Sequence, residues 1–113
     1  MLDVFWHEDA LAHDTGSGVF EQAPSPLMAE EELHPENAVR VLNMKAILER
    51  GPLAGDIRWR QGRHAERGEL ELVHDPAYID SIREFCEAGG GLLTWSTPVS
   101  TGSWPAALAA AGS

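Results

Sequence analysis

The chain has 113 residues, 43% of them hydrophobic, with 18 acidic against 8 basic side chains and a formal net charge of −10. That length bounds it at one domain and the composition suits a buried core rather than disorder, while an acidic surface with no offsetting basic stripe argues against a nucleic-acid partner. A single cysteine, Cys86, excludes an internal disulfide and a cysteine-rich zinc motif, and neither a leader-like start nor an apolar run of about 18 residues is present, so no membrane partner and a cytoplasmic location are expected.

Residues 2–6 read as a short first strand, because Val4, Phe5 and Trp6 favour extended backbone. His13 to Gly18 reads as a turn, and 23–33, with two prolines and a run of acidic residues, as an exposed loop. The first long helix is expected to open near Pro35, which suits a first helical turn, with Glu36 at the positive end of the helix dipole. Val41, Met44 and Leu48 then recur at helical spacing, with Ile47 beside them, until Gly51-Pro52 stops the helix. Residues 56–60 alternate polar and apolar and read as a second strand.

A short helix is expected over 66–73. Asp75 is placed as an N-cap and Pro76 as the first residue of the next helix. Along that helix Tyr78, Ile79, Ile82, Phe85 and Cys86 form one apolar stripe, and Gly89-Gly90-Gly91 ends it. Residues 92–102 read as a loop. Ser103 is expected to cap a last, alanine-rich helix. Cys86 is expected to be a buried, unreactive small hydrophobe.

A helix as short as the last one has little stability without a partner surface. Two strands joined through a helix suit a parallel sheet whose other strands lie elsewhere. The expectation is therefore an α/β fold, the N-terminal part of a parallel sheet flanked by helices. It is expected to fold poorly alone and to associate either with the missing C-terminal part or with itself.

His7, His13, Asp9 and Asp14 contain metal-ligating side chains at irregular, loop-like spacing, and a solvated loop is the reading we adopt; no residue is assigned as a metal ligand. His74, before Asp75-Pro76, reads as a structural junction. Arg40 sits beside the apolar side of its helix and can pair with Glu36 one turn back.

Three motifs follow in order: His34-Pro35-Glu36-Asn37-Ala38-Val39-Arg40, Leu72-Val73-His74-Asp75-Pro76-Ala77-Tyr78-Ile79, and Gly89 through Trp104. Together they resemble the N-terminal part of the histone deacetylase and acetylpolyamine amidohydrolase superfamily, with the bacterial class II-like members nearest. Asp14-Thr15-Gly16-Ser17-Gly18 resembles the same members. The resemblance implies the arginase/deacetylase fold and a zinc hydrolase whose substrates are acetylated lysines or polyamines. It implies that residues 7–14 shape the rim of the active-site entrance. It makes Arg40 a candidate for an internal channel, beside its reading as the partner of Glu36. It makes His34 a candidate support behind the active site, beside its reading as a packed helix-entry residue. Ser96 becomes a candidate at the substrate rim, where relatives often carry a carboxylate, as they do at Thr94; Ala38 stands where relatives usually have proline.

The resemblance implies that zinc is held by an Asp-x-His pair and a further Asp; this sequence contains no Asp-x-His and no glycine-preceded His-His pair. No catalytic residue and no cofactor are therefore assigned to these 113 residues. The function expected is that of an inactive portion of a zinc-dependent deacetylase. The alternative is a small acidic protein-binding module derived from that segment.

Overall fold

Strand β1 (Leu2–Trp6) and strand β2 (Ile57–Gln61) pair in parallel, with Leu2 opposite Ile57 and Trp6 opposite Gln61. The structure, a computed structural model, describes residues 1–18, 22 and 24–113. Arg58 donates to both carboxylate oxygens of Asp3 across the strand pair, and Arg60 Nε reaches Asp3 Oδ1 at 3.2 Å. The connection from β1 to β2 carries a 3-10 turn at Glu8–Ala12 and helix α1 (Ala38–Arg50). Part of the loop expected over 23–33 lies outside the described residues; in the remainder, Leu33 bridges Ser17.

Helix α1 starts three residues later than Pro35. The backbone of the intervening residues is committed elsewhere: Glu36 N donates to His34 Nδ1 at 3.1 Å, and Thr15 Oγ1 donates to the Glu36 carbonyl. Ala38 is the first helical residue, a position that suits proline. The helix ends where Gly51 N donates to the Ile47 carbonyl at 2.8 Å.

Helix α2 is only Arg67–Leu70, shorter than the 66–73 expected, and Glu66 N donates to Glu69 Oε2 at 2.8 Å at its start. Helix α3 (Pro76–Glu87) opens as expected, with the Asp75 carboxylate accepting from Ala77 N at 2.8 Å. It buries Ile79 and Cys86, while Tyr78 stays 53% exposed against the His74 ring.

The segment expected as a loop over 92–102 is mostly a hairpin, β3 (Gly91–Thr94) and β4 (Thr97–Val99), joined through Trp95 and Ser96. A shift in register between Leu92 and Thr94 breaks the two-residue alternation that marks a strand in sequence. Gly90 is the entry pivot: its φ is 78°, and a side chain there would run into the Val99 carbonyl.

Helix α4 (Ser103–Gly112) lies between the 3-10 turn and α3, burying Ala106 and Ala109. Gly102, not Ser103, holds its N-cap position; Ser103 is the first helical residue, and its hydroxyl accepts from Ser100 N at 2.8 Å. Among the described residues the buried apolar ones are Ala65, Ile79, Cys86, Ala106 and Ala109, four of them on α3 and α4. The accessible surface is 7682 Å² where a compact chain of this mass has about 6,100 Å². The radius of gyration is 16.4 Å against about 13 Å for a compact domain of this length. The molecule is a slab, 45 × 42 × 17 Å, with apolar faces still uncovered.

Candidate functional site

Two of the sequence motifs meet at the loop Asp14–Gly16. His34 N donates to the Gly16 carbonyl at 3.3 Å, Asn37 Nδ2 donates to the His34 carbonyl at 2.6 Å, and Gly16 N donates to Asp14 Oδ1 at 2.9 Å. From the other side Asp14 N donates to Ser100 Oγ at 3.2 Å. Between this loop and the β3–β4 hairpin lies a shallow groove of about 310 Å³, lined by Thr15, Gly16, Leu92, Pro98 and Ser100 among others.

His34 is buried at 7% exposure, and its Nδ1 accepts from Glu36 N at 3.1 Å. Ser96 sits at the hairpin tip, half-buried, with its backbone N–H 3.4 Å from Thr94 Oγ1, which bonds Thr97 Oγ1 at 2.7 Å. Arg40 is apart from the groove. Its guanidinium is half exposed, paired with Glu36 one turn back and 3.4 Å from the Pro35 carbonyl. The groove thus gathers Thr15, Gly16 and Ser100, with His34 behind it and Ser96 at the tip of its hairpin wall. It offers hydroxyls, backbone groups and the Asp14 carboxylate, which already accepts from Gly16 N.

A second cluster stands at the C-terminal ends of the two parallel strands. His7 follows β1 and His64 follows β2; Gly62 N donates to the Trp6 carbonyl at 2.8 Å and keeps the two exits side by side. His64 Nε2 lies 2.7 Å from Asp9 Oδ2, His7 Nδ1 lies 3.8 Å from the same oxygen, and the imidazole centroids are 4.7 Å apart. The grouping of His7, His13, Asp9 and Asp14 considered in sequence is split. His13 Nδ1 goes to Ser103 Oγ at 2.7 Å and Asp14 to the Gly16 loop, while His64 joins from 55 positions away. Spacing along the chain gave no sign of His64. Its place just after a strand, matching that of His7, is the signal that was there to use.

Cys86 is 1% exposed, and burial pushes its thiol above the ordinary value, against a partial offset from a hydrogen bond to the Trp104 backbone. A thiol so placed is the inert filler expected. A second cavity, of about 510 Å³, opens between β1, α1 and α4, and Val4, Trp6, Val41, Met44, Leu48 and Ala109 line it. No helix among the described residues is long and apolar enough to cross a membrane.

The histone deacetylase domain model matches residues 34–113, most of the chain. Histone deacetylase 8 of Arabidopsis thaliana is 44% identical over 113 residues, a match that takes in 98% of this chain and 30% of that protein. The solved structure described as "Crystal Structure of HDA15 HD domain" superposes with a TM-score of 0.75 at 25% identity, over 98% of this chain and 29% of that one. This chain therefore spans about 30% of the length of the relatives it matches. The parallel strand pair and the flanking helices agree with these matches: the chain belongs to the histone deacetylase domain family.

Proposed function

We propose that this chain is the N-terminal portion of a cytoplasmic, zinc-dependent deacetylase acting on acetylated lysines or polyamines. In this reading it supplies framework and rim to the enzyme and hydrolyses nothing by itself. The observation that carries the reading is the conjunction of a family match over residues 34–113 with a helix, α1, that buries none of its residues. Apolar faces are costly to leave in water, at about 25 cal/mol per Å², and such faces mark where other protein belongs.

Amide hydrolysis in this family is expected to use zinc to polarise the carbonyl and activate a water. The Asp-x-His pair of donors that the resemblance implies does not occur in this sequence. The one group of three potential ligands among the described residues, His7, Asp9 and His64, is a different donor set. No step of the hydrolysis is therefore assigned to a metal on this chain. In the assembled enzyme Ser96 would stand at the substrate rim, able to accept a hydrogen bond from a peptide N–H but without the charge of a carboxylate. Arg40 would line the internal channel once its bond to Glu36 is exchanged, and His34 would brace the groove from behind.

The purified chain incubated with zinc and an acetyl-lysine peptide should give no turnover, and turnover above a zinc-only control would overturn the proposal. Size-exclusion chromatography separates it from the alternative of an acidic binding module. Aggregation, from uncovered apolar faces, supports the enzyme portion; a discrete dimer or complex supports the module.

A further inference from the structure

We infer that His7, Asp9 and His64 form a binding site for a divalent transition-metal ion of the zinc class. Their candidate ligand atoms all lie within 4.8 Å of one another. A tetrahedral ion with bonds of about 2.1 Å needs its ligands roughly 3.4 Å apart, so modest side-chain rotation closes the site. The pair now at 2.7 Å, His64 Nε2 and Asp9 Oδ2, opens slightly, and the pair at 3.8 Å, His7 Nδ1 and the same oxygen, draws in. Two imidazoles and one carboxylate suit zinc, cobalt, nickel or copper rather than calcium or magnesium, which favour all-oxygen shells.

Placement supports the same reading. The C-terminal ends of parallel strands are where open α/β sheets bind ligands. His7 Nδ1 accepts the Asp9 amide N–H at 3.1 Å, which orients that ring beside the carboxylate; the ion takes either this lone pair in exchange or Nε2 of a turned ring. All three residues are partly exposed, so an ion enters directly from solvent and water completes its shell. An acidic chain of net charge −10 adds long-range attraction for a cation. Bound there, the ion clips the 3-10 turn to the exit of β2, across 55 positions of chain. This site stands independently of the deacetylase reading.

The test is titration of the 113-residue chain with CoCl2 and ZnCl2, following the visible absorption of Co(II), its displacement by zinc, and the thermal midpoint by circular dichroism. One equivalent should bind saturably and raise the midpoint. Asp9→Asn and His64→Ala should weaken binding about tenfold or more, a loss seen even when an outer-shell partner is removed. His13→Ala and Asp14→Asn should leave it unchanged. His64→Gln keeps a donor toward Asp9 without an imidazole; it should retain the fold of the metal-free chain and lose the metal response. Equal binding by His64→Gln and the parent would overturn the site, as would a parent chain that shows no saturable binding and no gain of structure at saturating zinc.

Discussion

Helices α1 and α3 are almost the same length, 13 and 12 residues, and both repeat apolar side chains at helical spacing. Their fates differ. Helix α3 packs against α4 and buries Ile79 to 4% and Cys86 to 1% exposure, whereas on α1 Ile47 remains 68% and Met44 63% exposed. Amphipathic patterning states which side of a helix is meant to be covered; burial occurs only where the covering element is present. For α3 that element, α4, lies within these residues. For α1 the sheet and α4 reach only one flank, across the open cleft that Val41, Met44 and Leu48 line. Beyond that flank α1 touches the 3-10 turn at Glu8–Ala12, and Lys45 Nζ lies 5.2 Å from the Trp6 ring centre and 5.1 Å from that of Trp59.

The largest expected effect separates the two helices directly. Ile79→Ala should weaken the α3–α4 contact by up to about 2–5 kcal/mol, from lost burial plus a cavity, read as lost backbone-amide protection along α3. Ile47→Ala in the same chain should change stability by less than about 0.5 kcal/mol, as exposed substitutions do. Equal costs would break the comparison. Next, Gly90→Ala should destabilise by about 1–3 kcal/mol, since its positive φ and the approach to the Val99 carbonyl both exclude a side chain. Asp75→Ala removes the N-cap bond of α3 and should lower the helix's stability by about 1 kcal/mol, seen as faster amide exchange in its first turn.

The smallest effect belongs to exposed ion pairs and is read with pH. The hydrogen bond from Arg58 is the main cause holding Asp3 at about 2, below its ordinary 3.8; Arg63 does the same for Glu69, at about 2 against 4.5. Because the folded values are lowered, this stabilisation is fully present above about pH 4.5 and is lost as pH falls toward about 2. The unfolding midpoint should decline modestly over that window, and added salt should shrink the decline. An Asp3→Asn variant should lose part of the pH dependence.

The elements that were legible in the sequence are those whose signals are local. Strand β1 follows from Val4, Phe5 and Trp6, and α3 from an Asp75 cap, Pro76 in the first turn and a stripe that places Ile79 and Cys86 inside. The parallel pairing of β1 with β2 was expected from strand, helix and strand in order. What escaped depends on contacts distant in sequence. The start of α1 is delayed by a bond from Thr15, 21 positions from Glu36. The β3–β4 hairpin is hidden by its irregular register, and Ser103 turns its hydroxyl to Ser100 and His13 instead of capping α4. At the groove, the Asp14–Gly18 and Gly89–Trp104 motifs supply the walls, while Arg40 lies apart, paired with Glu36. The cluster of His7, Asp9 and His64 is a product of the strand pairing alone.

The account rests on this chain being an interchangeable part of a deacetylase domain. The direct measurement replaces the aligned segment of Arabidopsis thaliana Histone deacetylase 8, 44% identical, with this chain and follows hydrolysis of an acetyl-lysine peptide. The account predicts a folded chimera that retains the parent's hydrolysis. A soluble, folded chimera without activity beside an active parent would contradict it.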